Sequence, residues 1–214
     1  KKVRQLASDN GIVLIFDECT TGFRETFGGI HKKYGVEPDI AVFGKALGNG
    51  YAVTSVLGRA DVMDAANTSF ISSTFWTERI GSAAALKVLE VIEREKSWET
   101  VTEIGLRLRR KWLELANHHG LSISVSGVPA IGGFAFNSAD ELKYKTLISQ
   151  EMLEKGFLAG TSVYTSLAHD DETINRYFDA LDGIFGMIKS CEDGNNIDNM
   201  LKFPVCHTGF KRLN

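Results

Sequence analysis

Hydrophobic positions in this chain come first as short unbroken runs and later at helical spacing. Ile12 to Phe16 runs without a polar residue after the punctuation of Asn10-Gly11 and ends on Asp17. A continuous run of this length reads as a strand covered on both faces, the habit of parallel strands lying under helices. Ile40 to Phe43 follows Pro38-Asp39 and stops at Gly44-Lys45, and Val53 to Leu57 stops at Gly58. Both read as further strands. The stretch Val3 to Ala7 reads as the end of a helix. Asp17 and Lys45 therefore fall at the same end of their strands. If those strands are parallel, both project beyond the carboxyl ends, where open α/β sheets collect their ligands.

From Ile80 the period changes. Ala84, Ala85, Val88, Leu89 and Ile92 recur at steps of three and four, which predicts a closely packed helix. Ser97 is placed to cap a second helix, with Val101, Ile104, Leu108, Trp112 and Leu115 on its apolar face and an end near Gly120. Strands over Leu121 to Val125 and Gly133 to Phe136 then alternate with helical stretches over Ala139 to Lys155 and Asp171 to Lys189. The fold class is α/β: a mainly parallel sheet in residues 1–96 and a small α+β domain in residues 97–214. The polar tail from Ser190 is expected to wander over the surface before Phe203-Pro204.

Composition narrows the function. With 214 residues and 43% hydrophobic content, the chain can bury one large core or two modest ones. A net charge of -3 offers no field for nucleic acid, and no apolar run approaches the roughly 18 residues of a membrane span. Cys19, Cys191 and Cys206 are an odd set without CxxC spacing, which argues against a disulfide framework or a zinc site and for the reducing cytoplasm. The sequence opens without Met or leader, in what reads as a helix end, so we expect it to be the C-terminal part of a longer protein.

The candidate chemistry lies in LIFDECTTGFR, Leu14 to Arg24, and PDIAVFGKALGNG, Pro38 to Gly50. Together these strings resemble the signature of the class III pyridoxal-phosphate-dependent aminotransferases. The resemblance continues to about Leu89 through Ser73-Thr74-Phe75-Trp76, and more weakly to Ala168-His169 and the helix after it. It implies a type I pyridoxal-phosphate fold. It also implies transfer of an amino group between a small amine or amino acid donor and a keto or aldehyde acceptor. In that family pattern Lys45 forms the Schiff base with pyridoxal 5'-phosphate, Asp17 holds the ring nitrogen, and Cys19 stands against the ring in place of an aliphatic residue. Thr74 would reach the cofactor phosphate of a neighbouring subunit, which implies a two-fold homodimer. Thr20 stands where many omega-amino-acid transaminases carry Gln and is similar to the branch around glutamate-1-semialdehyde aminomutase. Intramolecular aminomutation is therefore an alternative. So is a non-catalytic fragment, because in the family an N-terminal half brings the phosphate-binding turn and a stacking aromatic.

Such chemistry explains the residue types. An electron-sink cofactor needs a carboxylate to keep its ring nitrogen protonated and an amine that binds and then leaves its carbonyl carbon. Other uses compete for the same residues. Asp17 alone reads equally well as a carboxylate paired with Arg24, and Glu18 as a structural hydrogen-bond acceptor. The Gly44 to Gly50 loop is not a P-loop, because Gly-Lys comes first and Ala46 follows. His118-His119 is expected to meet helix carbonyls rather than a metal, and no metal site is expected. Asp170, Asp171 and Glu172 read as acids at a helix start, and Ser72 to Thr74 as a hydroxyl turn capping the helix at Ile80. His169 is a candidate to face the substrate, and Arg79 and Arg176 are candidates for a substrate carboxylate with solvated surface positions as the simpler reading.

Overall fold

The computed structural model describes residues 1–208, which divide into two compact units, Lys1–Thr102 and Glu103 onward. The first unit holds α1 (Lys2–Asp9), β1 (Ile15–Asp17), β2 (Ile40–Phe43), β3 (Ser55–Gly58), α2 (Ala60–Met63) and α3 (Ile80–Glu95). Its sheet has the order β1-β2-β3. β1 and β2 are parallel, with Ile15 opposite Ile40 and Asp17 opposite Val42, while β3 runs antiparallel to β2. Strand alternation turns Ala41 and Phe43 to one face, where they are buried with Leu47 and Ala85. Gly81 lets α3 approach this core, since a Cβ there would lie 2.6 Å from the carbonyl oxygen of Ala52.

The first strand is shorter and more open than the hydrophobic run predicts. Ile12, Val13 and Ile15 are all exposed. Leu14 is instead tied to Asp39: its amide donates to Oδ2 at 2.7 Å and its carbonyl accepts from the Asp39 amide at 2.9 Å. Pairing therefore starts at Ile15, and among the described residues β1 has a strand partner on one side only. Asp39 is buried and also takes Arg4 Nη1 at 2.8 Å and Arg59 Nη1 at 3.1 Å, which joins α1 to the start of β2 and the end of β3. The Leu14 amide, and then the Arg4 guanidinium, hold its carboxyl below the usual carboxylate range.

α4 (Ser97–His118) follows a left-handed residue, Lys96, and runs from the first unit into the second. Ser97 is the first helical residue, not the flanking cap, because the chain turns at Lys96. The second unit continues with β4 (Ile123–Val128), β5 (Ile131–Phe136), α5 (Glu141–Glu154), β6 (Ser162–Tyr164) and α6 (Asp171–Glu192). β4, β5 and β6 form an antiparallel sheet in that order. Trp112, Leu147, Ile148, Leu181, Ile184, Phe185 and Ile188 fill its core, and Trp112 Nε1 donates to the Tyr177 hydroxyl at 3.0 Å. Asp170 caps α6, accepting from the Thr173 amide at 2.8 Å.

The tail does not wander. Ile197 is buried, Gln150 Nε2 donates to the Met200 carbonyl at 3.0 Å, and the Cys206 amide donates to Thr146 Oγ1 at 2.9 Å. Backbone groups of a polar segment find partners on α5 that composition alone does not reveal. No helix among the described residues is long and apolar enough to cross a membrane.

Candidate active site

Asp17 is the last residue of β1, and alternation sends it and Glu18 to opposite sides. Glu18 points inward and is buried. It accepts from the Ile30 amide at 3.0 Å, the His31 amide at 3.1 Å, His31 Nδ1 at 2.9 Å and the Thr21 hydroxyl. Burial alone would raise its carboxyl, but these hydrogen bonds together outweigh it and hold the group below its usual range. Glu18 is thus the anchor of the turn after β1. Gly22 closes that turn, since a Cβ there would sit 2.7 Å from the Phe43 ring.

On the open side, Asp17 Oδ1 accepts from the Cys19 amide at 3.0 Å. The Cys19 amide, the Cys19 thiol and the charge of Lys45 keep the Asp17 carboxyl below its ordinary value, against a smaller opposing effect of burial. The Cys19 thiol is pushed up, first by burial and then by the neighbouring Asp17. It is a neutral thiol at physiological pH, which suits a small packing group better than a nucleophile.

Lys45 follows β2. Gly44 is extended at φ -167°, and Lys45 itself takes a left-handed φ of 43°. That conformation is unfavourable for a residue with a Cβ, and such strain collects at functional sites. Leu47, buried two residues on, anchors the turn. The Lys45 Nζ donates to Thr20 Oγ1 at 2.5 Å. Arg24 Nε donates to the Thr20 carbonyl at 3.2 Å and steadies that residue from behind. The parallel pairing therefore brings Asp17, Cys19, Thr20 and Lys45 together at the carboxyl ends of β1 and β2. Thr20 is the residue whose contact the sequence does not announce, although its place in the motif, where Gln is common, marks it.

Other candidates lie apart. Thr74 is in an exposed turn, and among the described residues no hydrogen bond or ion pair joins it to Asp17, Cys19 or Lys45. The helix start at Ile80 is not capped by hydroxyls. Glu78 takes the Ile80 amide at 2.5 Å and the Gly81 amide at 2.9 Å, because a carboxylate two residues ahead reaches both orphan donors. Those amides are occupied rather than presented to an anion. Arg79 is exposed at the same helix start, and Arg176 lies over the Phe157 ring at 5.9 Å. His169 accepts from the Ser166 amide at 3.1 Å and lines an apolar cavity of about 260 Å³ within the second unit, with Phe157, Val163 and Tyr177. His119 meets Asp182 on α6 instead of helix carbonyls.

The sequence and the fold have counterparts among known proteins. The family model for aminotransferase class-III matches residues 1–185. The chain is 35% identical over 146 residues to 3-aminobutyryl-CoA aminotransferase of Cloacimonas acidaminovorans (strain Evry), covering 68% of this chain and 35% of that protein. It is 28% identical over 186 residues to 2'-deamino-2'-hydroxyneamine transaminase of Streptomyces kanamyceticus, covering 85% of this chain and 47% of the relative. The chain thus spans well under two thirds of either curated relative. Among solved structures, the PLP internal aldimine form of the FumI protein of Sphingopyxis sp. MTA144 superposes with a TM-score of 0.83 at 24% identity, over 92% of this chain and 49% of that one. An omega-transaminase of Sphaerobacter thermophilus gives 0.77 at 22% identity, over 86% and 46% of the two chains. These structures share its type I pyridoxal-phosphate transferase fold. With the motif, the strand-end site and the family match in agreement, the chain belongs to the class III aminotransferases.

Proposed function

We propose that the protein transfers an amino group between a small amine or amino acid donor and a keto or aldehyde acceptor, with pyridoxal 5'-phosphate as cofactor. One observation carries this: a carboxylate and an amine stand together at the carboxyl ends of two parallel strands, with the amine held by a hydroxyl. The donor set fits the cofactor, since Asp17 offers a charge kept negative and Lys45 an exposed primary amine. When bound, pyridoxal phosphate supplies an electron sink for the bond broken at the substrate's amine-bearing carbon. Asp17 would keep the ring nitrogen protonated by its charge, and the Cys19 amide keeps that carboxylate ionised and aimed. Lys45 would hold the cofactor through Nζ, and as a free amine it would serve as the base and acid for the substrate's amine-bearing carbon. Thr20 is a positioning residue: its Oγ1 accepts from Nζ and gives the free amine a fixed resting place. Cys19 would pack against the ring.

Thr74 and its exposed neighbours Phe70, Ile71, Phe75 and Trp76 support a two-fold homodimer in which Thr74 reaches the partner's phosphate. A holoenzyme that sediments as a monomer while fully active would contradict this. Three free cysteines fit the cytoplasm as its compartment. The aminomutase reading rests on Thr20 in place of Gln, and one assay separates the two. The holoenzyme is given an amine donor with and without a keto acid, and donor loss is measured by mass spectrometry. Transamination requires the acceptor for repeated turnover. Turnover of an amino aldehyde with no acceptor would replace transfer by aminomutation, and no conversion in either arm would reject both.

A further inference from the structure

We propose that His118, His119 and Asp182 form a binding site for a zinc-class divalent metal ion that fastens the end of α4 to α6. The site lies wholly in the second unit and shares no residue with the Lys45 cluster.

The backbone builds it. α4 ends at His118, and Gly120 turns the chain with a left-handed φ of 65°. His119 is thereby laid on α6 beside Gly186, where even a Cβ would stand 3.6 Å from His119 Cε1, in ordinary contact. The Phe185 ring, 6.4 Å away between centroids, flanks the imidazole on the same helix. His119 Nε2 then meets Asp182 Oδ1 at 2.9 Å. His118 stands edge-on to His119, with ring centroids 5.0 Å apart. One ligand atom from each of the three residues lies within 4.8 Å of the other two.

Two imidazoles and a carboxylate are the donor set of borderline divalent ions such as zinc, and unlike a magnesium or calcium site they need no shell of oxygens. Zinc bonds of about 2.0–2.2 Å set neighbouring ligands roughly 3.3 Å apart in a tetrahedron. The His119 and Asp182 atoms must therefore open by only a few tenths of an ångström, with the imidazole proton carried on Nδ1. Exposed His118 can swing in as the third ligand, and water takes the fourth position. Lys189, a cation on this stretch of α6, has its Nζ on Asp193 Oδ1 at 2.5 Å and is thereby paired. A hydrogen bond between His119 and Asp182 would by itself tie the helices, but it gives His118 no part. That difference is the basis of the test.

The untagged full chain is stripped with a chelator and titrated with zinc chloride. Bound zinc per chain is read by equilibrium dialysis, and melting temperature by calorimetry. The site predicts one zinc per chain and, at saturating metal, a rise in Tm of about 5 °C or more. His118→Ala and Asp182→Asn should each weaken binding by about tenfold or more and remove the rise. Asp182→Asn keeps a neutral hydrogen bond to His119, so its zinc-free melting should stay near that of the parent. His118→Ala removes an exposed side chain and provides a second, independent variant. Cobalt(II) in place of zinc should give visible bands without a thiolate charge-transfer band. The proposal is overturned if the parent binds no zinc at millimolar metal. It is equally overturned if both variants bind as tightly as the parent, or if the cobalt spectrum shows cysteine ligation.

Discussion

The two units spend their apolar residues differently. In the second, Phe185 is 0% exposed and sits among Phe134, Phe136, Leu181 and Ile188, with three helices and an antiparallel sheet closing around them. In the first, the buried cluster is small, and Phe70 is 94% exposed in company with Trp76, Val56 and Leu57. Yet the first unit carries the motif, the strained Lys45 and the charged cluster. Packing and chemistry are thus separated along the chain: the second unit has the large core, although it leaves Leu158 and Leu153 exposed, and the first has a small core and much uncovered apolar surface. Uncovered surface of this extent marks contact with something else.

The comparison is broken most strongly in the second core. Phe185→Ala should cost about 3–5 kcal/mol of stability, whereas Leu57→Ala in the first unit should cost no more than about 0.5 kcal/mol. Denaturant melts of the two variants check this, and equal losses would remove the distinction between the units. Next in size, Asp17→Asn should lower kcat by roughly 10²–10³-fold, because an amide gives no charge to the pyridinium nitrogen. Its melting should change little, since Asp17 is exposed and its hydrogen-bond partner among the described residues, Cys19, lies in its own turn. Near-normal turnover would return Asp17 to a purely structural role.

A smaller effect is expected at Glu18. Its folded carboxyl lies below its ordinary value, so the stability it contributes is present above the unfolded pKa of about 4.3 and is lost as pH falls through the folded value. Glu18→Gln should cost about 1–3 kcal/mol at neutral pH, and the gap to the parent should narrow in acid. A pH-independent gap would mean that the charge of Glu18 is not what holds the turn.

Much of this was legible in the residues, for definable reasons. Unbroken apolar runs ending in Asp17 and Gly44-Lys45 located the strand-end site, because the point where such a run stops is a local property. The helices at Ile80, Ser97 and Asp171 followed from their spacing, but only the acids at Asp170 to Glu172 were a true start signal; Glu78, not a hydroxyl turn, caps the first, and Ser97 is not the cap of the second. The motif at Leu14 to Arg24 also led to the family. What stayed hidden depended on distant partners. Asp39 shortens β1 by capturing the Leu14 amide across 25 positions, and Gln150 captures the tail across 50. Periodicity carries no trace of either. The three-residue β6 is too short to show an alternation. Thr20 gained its partner Lys45 only when the parallel register brought them together, and His119 its partner Asp182 only when α4 and α6 packed.

The central claim is that Lys45 is the residue on which the cofactor is carried. The holoenzyme is reduced with borohydride, digested and mapped by mass spectrometry. The account predicts the pyridoxyl mass on Lys45, with none recovered from the Lys45→Ala variant. Label on Lys2, Lys32 or Lys33 instead, with Lys45 unmodified, would contradict it.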